Sequence, residues 1–188
     1  MRPAPKALFL DRDGTLIKDN PYSADPTQIE LLPTVIPALH YALRLQFKLI
    51  MITNQSGIGR GLINQSQFLA FHTHLLNRFR EHNITFTDMF YCPHHPTDAK
   101  KRYRVKCTCR KPEPGMLFQA INRHGLDSTE CVMIGDKITD VLAGYRAGIR
   151  GALLHPTPTI DPDPQFGPLP TDAVIAPTLE AAIHQTIG

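Results

Sequence analysis

Apolar runs that end at polar residues recur along the chain. Three such runs cover residues 7–10, 47–53 and 131–134. Runs of this length, bounded by polar residues, are typical of buried strands in a parallel sheet. Runs at residues 89–92 and 151–154 predict two further strands. The pattern therefore predicts a series of buried strands that deliver polar side chains at their ends.

Between these runs, apolar residues recur at helical spacing. Ile36, Leu39 and Leu43 form one such stripe within a predicted helix at residues 33–44. A second helix is predicted after Asn64, where Phe68 and later apolar residues repeat every three or four positions. Further helices are predicted at residues 114–124 and 141–147, and one strand and one helix are predicted within 172–187.

The alternation of strands and helices is typical of a parallel sheet covered by helices on both faces. We therefore predict an α/β fold with a Rossmann-like sheet, in one domain over residues 1–188 with a proline-rich loop at 157–170. In such sheets, ligands bind beyond the carboxyl ends of the strands. Asp11, Thr53 and Asp136 are predicted to lie at that edge.

Composition narrows the range of functions. The chain has 188 residues, of which 20 are basic and 17 acidic, so the formal charge is +3. This surplus is too small to indicate nucleic-acid binding, and a small anionic ligand fits as well. The amino terminus leads into only four apolar residues, so we predict neither a signal peptide nor a membrane span. A cytoplasmic location is the resulting expectation.

The turn Asp11-Arg12-Asp13-Gly14-Thr15 places two carboxylates two positions apart after a buried strand. The first carboxylate can attack a phosphate and the second can transfer protons. Taken alone, the motif favours an aspartate-rich turn capped by Gly14. A carboxylate that attacks a phosphate monoester also needs a cation and hydrogen-bond donors, because the two anions repel each other.

Residues elsewhere in the chain supply both requirements. Asp136, Asp11 and the backbone carbonyl of Asp13 are candidate oxygen ligands for Mg²⁺. Thr53, the Asn54 amide and Lys111 are candidates to hold the phosphoryl group. Taken singly, Thr53 could cap a strand and Lys111 could be an exposed charge. Asp140 is either a residue of the helix surface or a partner that orients Asp136 or Lys137, and the second interpretation is preferred.

Cysteine and histidine residues cluster between positions 92 and 109. Three thiolates and one imidazole suit tetrahedral Zn²⁺ with no open position, which predicts a structural role. The metal would hold a polar loop that presents Arg110 and Lys111. Buried thiols beside an exposed histidine are the alternative, and Cys131 is predicted to be a core residue. The predicted zinc ligands are Cys92, His94, Cys107 and Cys109.

Together these motifs resemble the aspartate-nucleophile phosphatases of the haloacid dehalogenase (HAD) superfamily. The resemblance implies a HAD-like fold in which Asp11 forms an aspartyl-phosphate, Asp13 acts as acid and base, and Thr53 and Lys111 stabilise the transferring group. Within the superfamily, residues 7–155 resemble the D-glycero-D-manno-heptose 1,7-bisphosphate 7-phosphatase family. No separate cap domain is expected beside the zinc-stapled loop, which makes a monomer the expected state.

The family resemblance implies a small phosphorylated sugar as substrate, with hydrolysis at its C7 phosphate during synthesis of nucleotide-activated heptose. Arg110 is then expected to bind the second phosphate, because a guanidinium can donate two parallel hydrogen bonds. Two alternatives remain open, a histidinol-phosphate phosphatase and a zinc-stapled binding module without catalysis; the intact aspartate pair argues against the second. The residues expected to contact substrate are Asp19, Tyr22, Asn54, Gln55, Ser56, Arg110 and Lys137.

Overall fold

The computed structural model describes residues 4–188, so residues 1–3 of the predicted domain and amino terminus lie outside the described residues. Its strands are β1 (Ala7–Leu10), β2 (Lys48–Asn54), β3 (Asp88–Cys92), β4 (Val132–Gly135), β5 (Arg150–Leu154) and β6 (Val174–Ala176). These six strands form one sheet in the order β3-β2-β1-β4-β5-β6, and every neighbouring pair is parallel. The predicted Rossmann-like parallel sheet is confirmed.

The helices flank this sheet. They are α1 (Val35–Arg44), α2 (Ser56–Arg60), α3 (Gln65–Glu81), α4 (Gly115–His124), α5 (Ile138–Arg146) and α6 (Leu179–Ile187). The sequence did not predict α2, because two glycines among its five residues weaken helical propensity. The prediction also began α5 three residues too late, since it missed the capping of Lys137 by Asp140.

Both faces of the sheet are covered, as alternate side chains of the strands show. In β1, Leu8 and Leu10 face one core, which includes residues of α1, α3 and α6. Ala7 and Phe9 face a second core with residues of α4 and α5. Alternate residues of a strand point to opposite faces, so these fully buried strands are apolar throughout.

The strand order reverses at β1, since β2 lies on one side of it and β4 on the other. Crevices at such reversals are where ligands bind in α/β sheets. Asp11 follows β1 and Asp136 follows β4 directly, so the fold places these two carboxylates at the reversal. Across residues 4–188, the structure contains no helix that combines the length and apolar character needed to cross a membrane.

Candidate active site

Lys111 lies at the centre of the strand-end cluster. Its ammonium group donates to Asp11 Oδ1 at 2.7 Å and to the Ile52 carbonyl at 2.6 Å, and lies 2.5 Å from Asp140 Oδ1. The residue is only 3% exposed, which excludes the alternative of a surface charge. Burial lowers the pKa of Lys111, but the charges of Asp11 and Asp140 outweigh it, so the pKa lies above its ordinary value. A charged lysine is thus fixed beside the predicted nucleophile.

Asp136 carries the carboxylate best suited to bind a cation. Among the described residues, its buried Oδ1 atom has no hydrogen-bond partner. Burial, and next the charge of Asp11, raises the pKa of Asp136 to about 7. Gly14, with φ of +81°, passes so close that a Cβ atom there would collide with the Asp136 carboxylate. An unpartnered oxygen beside a second carboxylate is the donor set that Mg²⁺ prefers.

Asp140 belongs to the same cluster, because one oxygen from each of Asp11, Asp136 and Asp140 lies within 4.8 Å of the others. Its own oxygens are already engaged, Oδ1 by Lys111 and Oδ2 by the backbone N–H of Lys137 at 3.0 Å. Burial raises the pKa of Asp140 to about 6, and the Lys111 charge opposes that rise. These contacts agree with the predicted orienting role and add Lys111 to its partners.

Gln55 connects the predicted acid to the predicted phosphate-binding threonine. Its side-chain amide donates to Asp13 Oδ2 at 2.8 Å and to Thr53 Oγ1 at 2.9 Å. Arg12 also contacts the Asp13 carboxylate, through Nε at 3.0 Å and Nη2 at 2.8 Å. Sequence reasoning missed Arg12, although its place between two aspartates was a usable signal.

The Asn54 side chain supports the lysine. Its Oδ1 atom accepts the backbone N–H of Lys111 at 3.0 Å, and its Nδ2 atom donates to the Lys111 carbonyl at 3.1 Å. This pair of hydrogen bonds fixes the loop that carries Lys111 to the end of β2. A direct contact between the Asn54 amide and a phosphoryl group stays a prediction.

A cleft of about 1160 Å³ opens over these residues. Phe166 and Gln165 also line it, although the sequence indicated only a proline-rich loop there. No local pattern could have shown this, because the contact depends on how the loop folds back. At the cleft wall, Lys137 Nζ lies 3.4 Å from Asp19 Oδ2. The predicted site residues that line the cleft are Asp13, Asp19, Tyr22, Asn54, Gln55, Ser56, Arg110, Lys111 and Lys137.

The four predicted zinc ligands converge at a second place. Cys109 Sγ lies 2.9 Å from Cys92 Sγ, 3.2 Å from Cys107 Sγ and 3.2 Å from His94 Nδ1. Tetrahedral Zn²⁺ with bonds of about 2.3 Å to sulfur holds sulfur ligands about 3.8 Å apart, so these donor atoms would need to separate by less than about 1 Å to take up the ion. A hydrogen bond from Cys92 lowers the pKa of Cys109 to about 5, which favours the thiolate form that metal ions bind. The cluster is therefore suited to a metal ion.

The cysteine cluster and the active-site lysine are joined by one short segment. Cys109, Arg110 and Lys111 are consecutive, yet their side chains enter the cysteine cluster, the cleft and the carboxylate cluster. Arg110 Nη1 donates to the His94 carbonyl at 3.2 Å. Burial lowers the pKa of Arg110 from its ordinary value. A metal ion that orders the cysteine cluster would therefore also fix the positions of Arg110 and Lys111.

Comparisons with known proteins agree with this geometry. The HAD-hydrolase-like family profile matches residues 108–179. A D-glycero-β-D-manno-heptose-1,7-bisphosphate 7-phosphatase of Pasteurella multocida is 40% identical over 81% of this chain and 82% of its own length. The Haemophilus influenzae protein of that name is 39% identical over 77% of this chain and 78% of its own length.

A solved structure agrees over almost the full chain. The D,D-heptose 1,7-bisphosphate phosphatase of B. bronchiseptica, complexed with magnesium and phosphate, is 26% identical, with a TM-score of 0.79. The match covers 96% of this chain and 97% of that one. Fold and site together define a HAD-like hydrolase. Within that class, the chain belongs to the D-glycero-D-manno-heptose 1,7-bisphosphate 7-phosphatase family.

Proposed function

We propose that the protein is a magnesium-dependent phosphatase that removes the C7 phosphate of D-glycero-D-manno-heptose 1,7-bisphosphate. The observation that carries the proposal is Asp11 paired with buried Lys111 beside an unpartnered oxygen of Asp136. The names of relatives up to 40% identical to this chain support the choice of substrate. The reaction would belong to the synthesis of nucleotide-activated heptose.

The residues of the chain divide the chemistry between them. The Asp11 carboxylate attacks phosphorus and forms an aspartyl-phosphate while the bond between phosphorus and the C7 oxygen breaks. Asp13 donates a proton to that leaving oxygen. Asp13 then takes a proton from water, which attacks the aspartyl-phosphate, releases inorganic phosphate and restores Asp11. Thr53 and Lys111 hold the equatorial oxygens of the transferring group.

The carboxylate cluster fits Mg²⁺ because Asp136 Oδ1 lacks a partner and Asp11 adds a second negative oxygen. Asp11, Asp136 and the Asp13 carbonyl would hold the ion, which neutralises charge between phosphate and carboxylate when bound. Cys92, His94, Cys107 and Cys109 would hold Zn²⁺, which has a structural role since all four positions are filled by protein.

Arg110 would bind the second phosphate of the substrate, because its guanidinium lines the same cleft as Lys111 while its neighbour points to Asp11. Asp19 and Tyr22 would contact the sugar, and Ser56 and Lys137, which also line the cleft, would contact substrate. We also propose a single domain over residues 1–188 whose cleft is shaped by loops rather than a cap. A monomer in the cytoplasm is the proposed state.

Phosphate release with Mg²⁺ tests the substrate, using heptose 1,7-bisphosphate and histidinol phosphate at matched concentrations. We expect kcat/KM to favour the bisphosphate by at least about 100-fold, since a desolvated charged pair contributes about 3 kcal/mol. Preference for histidinol phosphate would assign the protein to the other branch and keep the Asp11 mechanism. No turnover of either compound, or of an aryl phosphate, would favour the non-catalytic module.

The role of Arg110 has a matched control in the same cleft. Arg110→Lys should lower kcat/KM for the bisphosphate about 10-fold or more, because lysine cannot donate two parallel hydrogen bonds. It should leave turnover of p-nitrophenyl phosphate unchanged. Arg146 also lines the cleft but already contacts Glu113 at 2.7 Å. Arg146→Lys should therefore leave kcat/KM unchanged for both substrates. If Arg110→Lys lowered kcat/KM equally for both substrates, Arg110 would not be the residue that binds the second phosphate.

A further inference from the structure

We propose that Arg12 is a positioning residue that fixes the orientation of the Asp13 carboxylate for proton transfer. The inference rests on the proposed function, in which Asp13 is the acid and base. Arg12 donates to both oxygens of Asp13, from Nε to Oδ1 at 3.0 Å and from Nη2 to Oδ2 at 2.8 Å. This two-pronged contact is the strongest geometry available between a guanidinium and a carboxylate.

The Arg12 side chain is itself held firmly. It is 4% exposed, and its guanidinium carbon lies 5.5 Å from the centre of the Phe68 ring and 5.0 Å from that of Phe71. Both rings belong to α3, and both are buried in the cores. A cation packed against two fixed rings cannot adopt other rotamers without losing these contacts. The orientation of Asp13 is therefore set by the packing of α3 rather than by its own turn.

Gln55 completes the arrangement from the other side. Its Nε2 atom contacts the Asp13 oxygen that Arg12 Nη2 also contacts, and the same Nε2 atom reaches Thr53 Oγ1. Three hydrogen bonds therefore hold the Asp13 carboxylate beside the threonine that is predicted to bind phosphate. Without Arg12, Asp13 would keep its chemistry but would spend less time in the productive orientation. The consequence should appear in kcat rather than in KM.

Arg12→Lys tests this because lysine keeps the charge and much of the apolar stem while losing the planar pair of donors. In single-turnover experiments, release of heptose phosphate should slow by about 10- to 100-fold, part of what a positioned acid contributes. Release of p-nitrophenolate should slow less than about 3-fold, since this leaving group departs without a proton. KM should be unchanged. Equal slowing of both substrates, or wild-type rates for heptose phosphate, would overturn the inference.

Arg123 provides a matched control. It also combines a carboxylate, Asp88 at 3.0 Å, with an aromatic ring, Phe90 at 4.8 Å, but it lies on α4 next to the first residue of β3. Arg123→Lys should leave both release rates at wild-type values. A leaving-group effect in this variant as large as in Arg12→Lys would overturn the assignment to Arg12.

A double variant separates positioning from a structural role. In Asp13→Asn, Arg12→Lys should cause no further loss of heptose phosphate release, because Arg12 acts through Asp13. An additional loss equal to that seen in the wild-type background would overturn the inference. Failure of the proposed function is recognised separately: Asp13→Asn would then release heptose phosphate at the wild-type rate. A slow Asp13→Asn with a wild-type Arg12→Lys would refute the positioning role alone.

Discussion

Two places in the molecule gather side chains that are suited to hold metal ions, and they differ in what supports them. The carboxylate cluster stands on strand ends, because Asp11 follows β1 and Asp136 follows β4 in the middle of the sheet. The Cys/His cluster has only Cys92 on a strand, while its other members lie in the loop between β3 and α4.

Because of this difference, we expect the two proposed metal ions to have different roles. Residues around the carboxylate cluster are buried in the sheet and hydrogen-bonded, so the proposed Mg²⁺ would serve charge neutralisation and chemistry rather than folding. The loop of the Cys/His cluster has little regular structure of its own, so an ion there contributes to folding. Removal of Mg²⁺ should stop turnover without unfolding the protein. Removal of Zn²⁺ should unfold the protein and so stop turnover as well.

The largest expected effect is the loss of the nucleophile. Asp11→Asn should lower kcat by on the order of 10⁴-fold or more, since no other group can form the covalent bond. The protein should stay folded, because the change relieves repulsion with Asp136 and Lys111 keeps its contact with Asp140. Measurements are phosphate release and thermal unfolding. Asp127→Asn, at an exposed carboxylate that caps Thr129, is the control and should keep wild-type kcat. Persisting turnover in Asp11→Asn would contradict the covalent mechanism.

Loss of a cysteine ligand should come next. Cys109→Ser should remove bound zinc and destabilise the protein by about 3 kcal/mol or more, a fall in Tm of roughly 6 to 12 °C. Metal analysis should give one zinc ion per chain in the wild type. Cys131→Ser is the control, since Cys131 lies outside the cluster and contacts the Asp127 carbonyl; its zinc content should be unchanged. A wild-type protein that is fully folded without zinc would show that the loop needs no metal.

A substitution at Gly14 tests the proposed magnesium site, because the backbone at Gly14 passes close to Asp136. Gly14→Ala should raise the Mg²⁺ concentration for half-maximal activity at least about 10-fold, because the methyl group would displace Asp136. Gly148→Ala shares a positive φ, +71° against +81°, but its Cβ atom would meet no heavy atom within 4 Å. It should cost about 1 kcal/mol of stability and leave the Mg²⁺ dependence alone. Equal Mg²⁺ dependence in both variants would argue against the site.

The smallest expected effect is a pH dependence of stability that arises outside both clusters, at His72. Burial, and next the charge of Arg12, lowers the pKa of His72 from 6.5 to about 4. Between these values the unfolded chain binds a proton that the folded chain does not, so stability falls as pH falls. The slope is at most about 1.4 kcal/mol per pH unit.

Denaturant unfolding at pH 7 and pH 5 measures this dependence. In His72→Gln, the free energy of unfolding should fall less between pH 7 and pH 5 than in the wild type. In His74→Gln, at an exposed position of the same helix, the fall should equal that of the wild type. The difference should persist when Mg²⁺ is removed. A wild-type slope in His72→Gln would show that the clusters themselves control stability over this pH range.

Much of the fold was predictable from local pattern. The strand at residues 7–10 was placed correctly because four apolar residues ended at a charge, and Phe68, Phe71 and Leu75 are buried as their spacing predicted. The helix α2 was missed because two of its five residues are glycines, which weaken helical propensity. The grouping of the site residues could be predicted because parallel strands end at one edge.

By itself, the sequence determined which chemical groups are available and at which strand ends they stand, since apolar periodicity and motif spacing are local properties. Only the tertiary structure decided their state and partners. It buried Lys111 between Asp11 and Asp140, left one oxygen of Asp136 without a partner, and packed Arg12 against α3. Burial and charge act through space, so Asp11 raises the pKa of Lys111, which lies 100 positions away, only once the chain is folded.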